Sequence, residues 1–229
     1  MFAVVAAMEE EMKFLRAHTR AVEEPTIAGV SFFRGKFAES EIILLQSGIG
    51  KVNAALATTL LHQVYAPETV INTGSAGGLQ MEFQVGDIVL ATSIQYHDVN
   101  VTSFGYQIGQ VPGEPVSYPV DNVLLSQALT VGEKMSVGVH PGLLLSGDQF
   151  MDDPKEILRI RQHWPAAVAV EMEGAAVAQV CHHFGSRFLA IRALSDIAGQ
   201  ESRISFAEFL PKAAMNAGYL ALHTIAATL

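Results

Sequence analysis

Carboxylates stand in this sequence where an apolar chain has least room for them. Glu9, Glu10 and Glu11 directly follow an apolar N-terminal run. Glu171 and Glu173 close one apolar run and open an alanine-rich one, and Asp196 ends another that also contains Arg192. Charged residues seldom enter such runs unless they are paired or at work, and a buried arginine has to be paired. Several carboxylates around a small-molecule pocket suit cleavage of a glycosidic bond by water. That reaction needs an acid for the leaving group, a base for the water, and negative charge beside a developing oxocarbenium ion. Burial and crowding of like charges raise one carboxyl enough to keep its proton near neutral pH. The candidates are Glu11, Glu173 and Asp196, with Arg192 as the accompanying cation.

Each position also has a purely structural reading. Acids in a first helical turn complement the helix dipole, which accounts for Glu9 and Glu10; at most one of three successive glutamates can turn back into a cleft. Residues two apart on an extended chain face the same way, so one or both of Glu171 and Glu173 address a shared cavity. Ser195 or Asp196 would also serve as a helix cap. Residues 47–51 read as a tight strand-to-helix turn with a secondary role as a ligand wall; Leu45 and Val52 break the pattern of a phosphate loop. The glycines of 72–78 fit either a simple turn or a loop that approaches a ligand closely. Thr73 stands where a nucleophile elbow needs glycine, so Ser75 is a poor nucleophile. Phe150 either stacks on a planar ring or belongs to the rim of the core. Three carboxylates after the first strand would repel a dinucleotide pyrophosphate. Cys181, His182 and His183 are consecutive and point apart around a helix, so neither a metal nor a cofactor is expected.

These residues have to be positioned by short apolar runs and amphipathic stretches that alternate. Buried strands are predicted at 2–7, 41–46, 69–73, 87–91, 142–146, 167–171 and 188–194. Helices are predicted at 9–18, 52–65, 121–135, 154–163, 174–184 and 206–228. The pattern is α/β, a single domain over 1–229, with a mixed, largely central sheet flanked by helices. Residues 86–119 break the rhythm and read as a strand followed by a long projecting loop, a feature that is usually functional. Ligands bind at the carboxyl ends of the strands in such sheets, where the acidic residues fall.

Composition limits the setting. Of 229 residues, 50% are hydrophobic and 16% charged, enough for a sizeable core and unlike a disordered chain. A net charge of −9 disfavours nucleic acid as a partner. One cysteine, Cys181, cannot make an internal disulfide and fits a reducing compartment. The N-terminal run lacks the basic flank of a secretory leader, and no run is long enough to span a bilayer. A soluble, cytoplasmic protein that binds no membrane is expected.

The segments AMEEE (7–11), SGIGKVNAA (47–55), NTGSAGG (72–78), VGDIV (85–89), YHDVNVTSFGYQIGQVPG (96–113), SGDQF (146–150), VEMEGAA (170–176) and RALSDIA (192–198) together resemble the bacterial 5′-methylthioadenosine/S-adenosylhomocysteine nucleosidases, a branch of the nucleoside phosphorylase superfamily. The resemblance implies a three-layer nucleoside phosphorylase-like fold. It also implies hydrolysis of thio-substituted adenosines, and of 5′-deoxyadenosine, to adenine and the sugar. By it, Glu11 is the base that holds the attacking water and Asp196 the acid that protonates the purine toward N7, oriented by Ser195. Glu173 would grip the ribose hydroxyls beside the Met172 main chain, and Arg192 would hold the water network. Phe150 would stack on adenine while the main chain of Met151 reads the purine edge; methionine stands there in place of the expected isoleucine or valine. Ser75 and Gly77 would form the ribose and purine floor, Met8 and Ile49 would line the sugar, and Phe206 would be a lid over the sulfur substituent. A homodimer is implied, with the loop around Val101, Phe104 and Pro112 reaching into the neighbour's pocket. A purine nucleoside phosphorylase, a futalosine hydrolase and an inactive nucleoside-binding module are the competing readings.

Overall fold

The structure is a computed structural model that describes residues 1–38, 40–198 and 202–228, with residues 202–205 described as backbone only. Among them are eleven strands in one sheet and six helices. Strand β1 (Phe2–Ala6) runs parallel to β5 (Ser40–Gln46) on one side and to β6 (Thr69–Gly78) on the other. Parallel neighbours need crossover connections; α1 (Glu9–His18) and α2 (Lys51–Tyr65) lie in these connections.

Beyond β6 come β11 (Arg187–Ile197), β7 (Ile88–Tyr96), β9 (Val139–Ser146) and β10 (Ala167–Glu171). β10 then pairs antiparallel with the end of β6, Val170 opposite Gly77 and Ala169 opposite Gly78. The sheet therefore curls until β6 is met again, which gathers the ends of β6, β10 and β11 into one place. The other margin is antiparallel and carries β2 (Arg20–Glu23), β3 (Thr26–Ile27) and β4 (Val30–Phe37). These three strands were not expected from the sequence. β4 alternates buried Phe33 and Gly35 with half-exposed Arg34 and exposed Lys36, so it never forms the continuous apolar run of a central strand.

Two expectations are corrected here. The glycines of 72–78 make neither a turn nor a loop, because β6 continues through Gly78. They remove side chains where neighbours crowd in: a Cβ on Gly78 would lie 2.9 Å from both Ile197 Cδ1 and Leu194 Cδ1. Ser195 and Asp196 are not helix caps, because β11 runs through both and α6 (Ser202–Thr228) begins later. The long loop after β7 does project, with a single 3₁₀ turn at Thr102–Phe104, before β8 (Tyr118–Pro119) returns to the sheet. The remaining helices are α3 (Asn122–Gly132), α4 (Pro154–His163) and α5 (Gly174–Phe184), the first two capped by Asp121 and Asp153. The main core lies along β1, β5, β6 and β11, and a smaller cluster joins Met151, Ile157, Ile160 and Trp164. Among the described residues no helix is long and apolar enough to cross a membrane.

Candidate active site

A cavity of about 240 Å³ opens where β6, β10 and β11 converge. Glu11 reaches it from the first turn of α1, and of the three successive glutamates it alone is buried. Its Oε2 accepts from the amides of Ala7 (2.9 Å) and Met8 (3.3 Å), which the turn from β1 into α1 leaves without strand partners. Its Oε1 accepts from the amide (2.9 Å) and hydroxyl (3.0 Å) of Ser75. Backbone donors on two elements thus fix the carboxylate. Gly74 makes that approach possible, since a Cβ there would stand 2.7 Å from Glu11 Oε1 and would also collide with the Arg192 guanidinium.

Asp196 owes its aim to an irregularity. The pairing of β11 with β6 slips between Leu194 and Asp196, so that Asp196 comes opposite Gly77. A bulge of this kind re-aims a side chain; a Cβ on Gly77 would lie 3.3 Å from Asp196 Oδ2. The Ser195 hydroxyl donates to Asp196 Oδ1 at 2.9 Å. Both residues are buried and line the cavity.

The two glutamates after β10 part company. β10 ends at Glu171, and Glu173 takes the N-cap position of α5 with φ −131° and ψ −36°, so the rule that alternate residues share a face no longer applies. Glu171 accepts from the Ser146 hydroxyl, from the amides of Glu173 (3.0 Å) and Gly174 (2.8 Å), and from Arg192 Nη2. Arg192 Nη2 also donates to Asn72 Oδ1 and lies 3.9 Å from Glu173 Oε2. Glu173 has one amide partner, Gly50, at 2.8 Å on Oε1. Burial, and then the neighbouring Glu171 carboxylate, push its pKa up to about 7, against the opposing pull of Arg192 and the Gly50 amide.

Of the residues expected in the site, Met8, Glu11, Ile49, Ser75, Gly77, Phe150, Met151, Met172, Glu173, Ser195, Asp196 and Phe206 all line this cavity. Arg192 does not. It stands behind Gly74 with 1% of its surface exposed and meets the site through the glutamates. Phe150 belongs to neither core cluster; it meets Phe206 edge-on at 5.7 Å. Met151 shows the opposite pattern, its side chain packed into the smaller cluster. Val101, Phe104 and Pro112 lie away from this chain's cavity, and Phe104 is 81% exposed. Ala7, Ala76, Gln149, Val170 and Glu171 also line the wall without having been singled out as ligand contacts. For Glu171 the signal was present in the Glu-Met-Glu spacing, which left open which carboxylate faced inward. Among the described residues no group of three or more His, Cys, Asp or Glu side chains is placed to hold a metal ion.

The cavity therefore presents four carboxylates along its floor and an apolar mouth made by Met8, Ile49, Phe150 and Phe206. Such a site can bind a flat, partly apolar molecule bearing hydroxyls and exchange protons with it.

The family model of the phosphorylase superfamily matches residues 1–226. The 5′-methylthioadenosine/S-adenosylhomocysteine nucleosidase of Lysinibacillus sphaericus is 49% identical over 227 residues, 98% of each chain. Among solved structures, the nucleosidase of that name from Neisseria meningitidis, in complex with methylthio-immucillin-A, is similar with a TM-score of 0.96 and 41% identity, covering 100% of this chain and 99% of that one. The Colwellia psychrerythraea nucleosidase, in complex with adenine, has a TM-score of 0.96 and 40% identity over 99% and 94% of the two chains. The futalosine hydrolase of Helicobacter pylori is also similar, with a TM-score of 0.93 and 30% identity over 98% and 97%.

Proposed function

The chain belongs to the phosphorylase superfamily, and from that premise we propose that it hydrolyses the N-glycosidic bond of 5′-methylthioadenosine and S-adenosylhomocysteine, giving adenine and the corresponding thioribose. The observation that carries the proposal is the meeting of Glu11, Glu173 and Asp196, far apart in sequence, on the wall of one cavity. In our reading Asp196, held by the Ser195 hydroxyl, donates a proton toward N7 and makes adenine a neutral leaving group. Glu173 accepts the ribose hydroxyls. Glu11 takes a proton from the attacking water while its charge stabilises the oxocarbenium-like sugar. Hydrogen bonds from Ala7, Met8 and Ser75 keep that carboxylate aimed, and the Ser75 hydroxyl is the one donor able to rotate aside for the water. Arg192 holds Glu171, and through it the turn that carries Glu173, in place.

Phosphorolysis is the competing reaction within the superfamily. It needs cations around a phosphate, and among the described residues no lysine or arginine lines the cavity. The 30% identical futalosine hydrolase is less similar than the nucleosidases named above. We extend the proposal to 5′-deoxyadenosine, to one catalytic domain over residues 1–229, to the cytoplasm as its setting, and to a homodimer. An exposed apolar stripe supports the dimer: Ile49, Val52 and Leu56 are 51%, 77% and 50% exposed, lie three or four residues apart from the turn before α2 into its first turns, and the first of them lines the cavity. Exposed apolar patches of this kind mark interaction surfaces, and the Val101–Phe104–Pro112 loop would complete the partner's pocket.

The test is a substrate panel of methylthioadenosine, S-adenosylhomocysteine, 5′-deoxyadenosine, inosine and futalosine, each with and without phosphate. Release of adenine from the thioadenosines, independent of phosphate, is expected. A requirement for phosphate, with a sugar 1-phosphate as product, overturns the hydrolytic reading.

A further inference from the structure

Beside the cavity lies a charged cluster that the reaction outlined above does not use. Lys51 opens α2, and its ammonium lies 2.5 Å from Asp98 Oδ2 and 3.8 Å from Asp148 Oδ2. Its amide donates to Asp148 Oδ1 at 2.8 Å, and the Asp148 amide donates to Asp98 Oδ2 at 2.9 Å. The ammonium also lies 5.5 Å from the centre of the Tyr96 ring, within cation–π range. One cation and two carboxylates thus join the 47–51 turn, the segment that leaves β7 and the 147–151 loop.

Two of these segments are cavity walls: the first contributes Ile49, and the third contributes Phe150 and Met151. The residue before Lys51 supplies the amide that Glu173 accepts. Beneath the cluster, the buried ring of His97 lies against Gly147, where any Cβ would run into it. The His97 amide donates to the Ser146 carbonyl at 2.9 Å, and its own carbonyl accepts from Arg159 at 3.3 Å. Burial lowers the pKa of this ring, so His97 acts as a neutral wedge behind the loop. Exposed ion pairs contribute little, but Asp98 is half-buried. Burial alone would raise its pKa, yet the Lys51 ammonium and the Asp148 amide outweigh that and hold the carboxyl below its ordinary range.

We propose that Lys51, Asp98 and Asp148 form a clamp that sets Glu173 and Phe150 for the nucleoside, which makes Lys51 a positioning residue for the hydrolysis. The proposal rests on the reading of Glu173 and Phe150 given above. Glu173 is faced by Glu171, Arg192, Glu11 and the Gly50 amide, and of these the clamp governs the last. Loosening it removes a donor that favours the ionised carboxylate.

The test compares Lys51→Met, Lys51→Arg and Asp98→Asn with the unaltered enzyme on methylthioadenosine across pH. Lys51→Met and Asp98→Asn are expected to raise KM by about 10-fold, the size of one lost charge-assisted hydrogen bond, with kcat little changed. The acidic limb of kcat/KM should move to higher pH, and Lys51→Arg should restore both quantities. The double variant Lys51→Met/Asp98→Asn should be no worse than either single one, because a clamp is lost once. Unchanged KM and an unmoved limb overturn the proposal, as does loss of kcat alone or an equal defect in Lys51→Arg. Thermal melting checks each fold, and failure of both Lys51→Met and Asp98→Asn to fold also overturns it, since the cluster would then be a stability element. An unaltered enzyme that releases no adenine refutes the assigned reaction instead. The clamp is then judged by calorimetric binding of adenine, whose Kd should still rise in Lys51→Met.

Discussion

Strand β11 carries one arginine at its start and another at its midpoint, and charge is balanced differently at the start than from the midpoint to the far end. At the start, Arg187 meets one carboxylate, Asp121, through two bonds of 2.9 Å, in reach of solvent. The Arg187 hydrogen bond is the largest of the forces that hold Asp121 down to about 2. Midway along, where the stretch toward Asp196 begins, Arg192 is fully buried and faces both Glu171 and Glu173, with Glu11 close by across Gly74. There the acids outnumber the cation, and Glu173 is driven up toward neutrality. A balanced pair is framework, whereas an excess of buried carboxylate is a store of protons that can be moved. On this view the active end of the molecule is the end where ion pairing is incomplete.

The sharpest way to break the comparison is to neutralise an acid at the crowded end. Asp196→Asn should bind adenine but lose about 10²–10⁴-fold in kcat, the usual worth of a positioned general acid. Steady-state adenine release and calorimetric binding check the two halves of that statement. Near-normal turnover would make the crowding at the end of β11 an incidental feature.

A smaller effect should follow from Glu173. Its folded pKa lies above the ordinary 4.5, so folding favours the neutral form. Stability from this group is present in full below pH 4.5 and is lost as pH rises through about 7. Binding runs the opposite way, because ribose hydroxyls donate to the ionised form. KM for methylthioadenosine should therefore rise as pH falls below about 7, and Glu173→Gln should flatten that limb. The same variant should raise the Tm of the ligand-free protein at pH 8, measured by thermal melting. A fall in Tm there would show that the crowded end is not under electrostatic load.

How much of this was legible in the sequence differs between the same two regions. The apolar runs around β1, β5 and β10 announced themselves, because a strand buried on both faces loses its alternation. Glu11, Glu173 and Asp196 were legible as charges out of place, and as parts of motifs with a family resemblance. What the sequence did not carry was geometry set by neighbours distant along the chain. The slip that aims Asp196 depends on pairing with Gly77, and the glycines of β6 look like a loop until Arg192 and Ile197 are seen crowding them. Glu171 and Glu173 were indistinguishable by spacing, since both line the cavity and only the end of β10 decides that Glu171 is locked to Arg192 and the 173–174 amides while Glu173 takes the Gly50 amide. The clamp of Lys51 with Asp98 and Asp148 spans three segments, and no local pattern marks it.

The smallest expected effect lies at the balanced end and tests whether it is framework alone. Asp121 caps α3 by accepting from the amides of Val123 (3.0 Å) and Leu124 (2.9 Å) while it pairs with Arg187. Asp121→Ala removes a cap worth about 1 kcal/mol and an ion pair that solvent holds to about 1 kcal/mol or less. The loss should be about 1–2 kcal/mol, read as a fall of about 2–4 °C in Tm per kcal/mol for a chain of this size. Because the folded pKa of Asp121 is depressed to about 2, its contribution is present above the ordinary 3.8 and fades as pH falls through about 2. The Tm difference between the two proteins should accordingly hold at neutral pH and close on strong acidification, while kcat and KM at pH 7 stay those of the unaltered enzyme. A change in turnover instead would mean that the two ends of β11 are coupled along the strand, and that the balanced pair helps to set the unbalanced one.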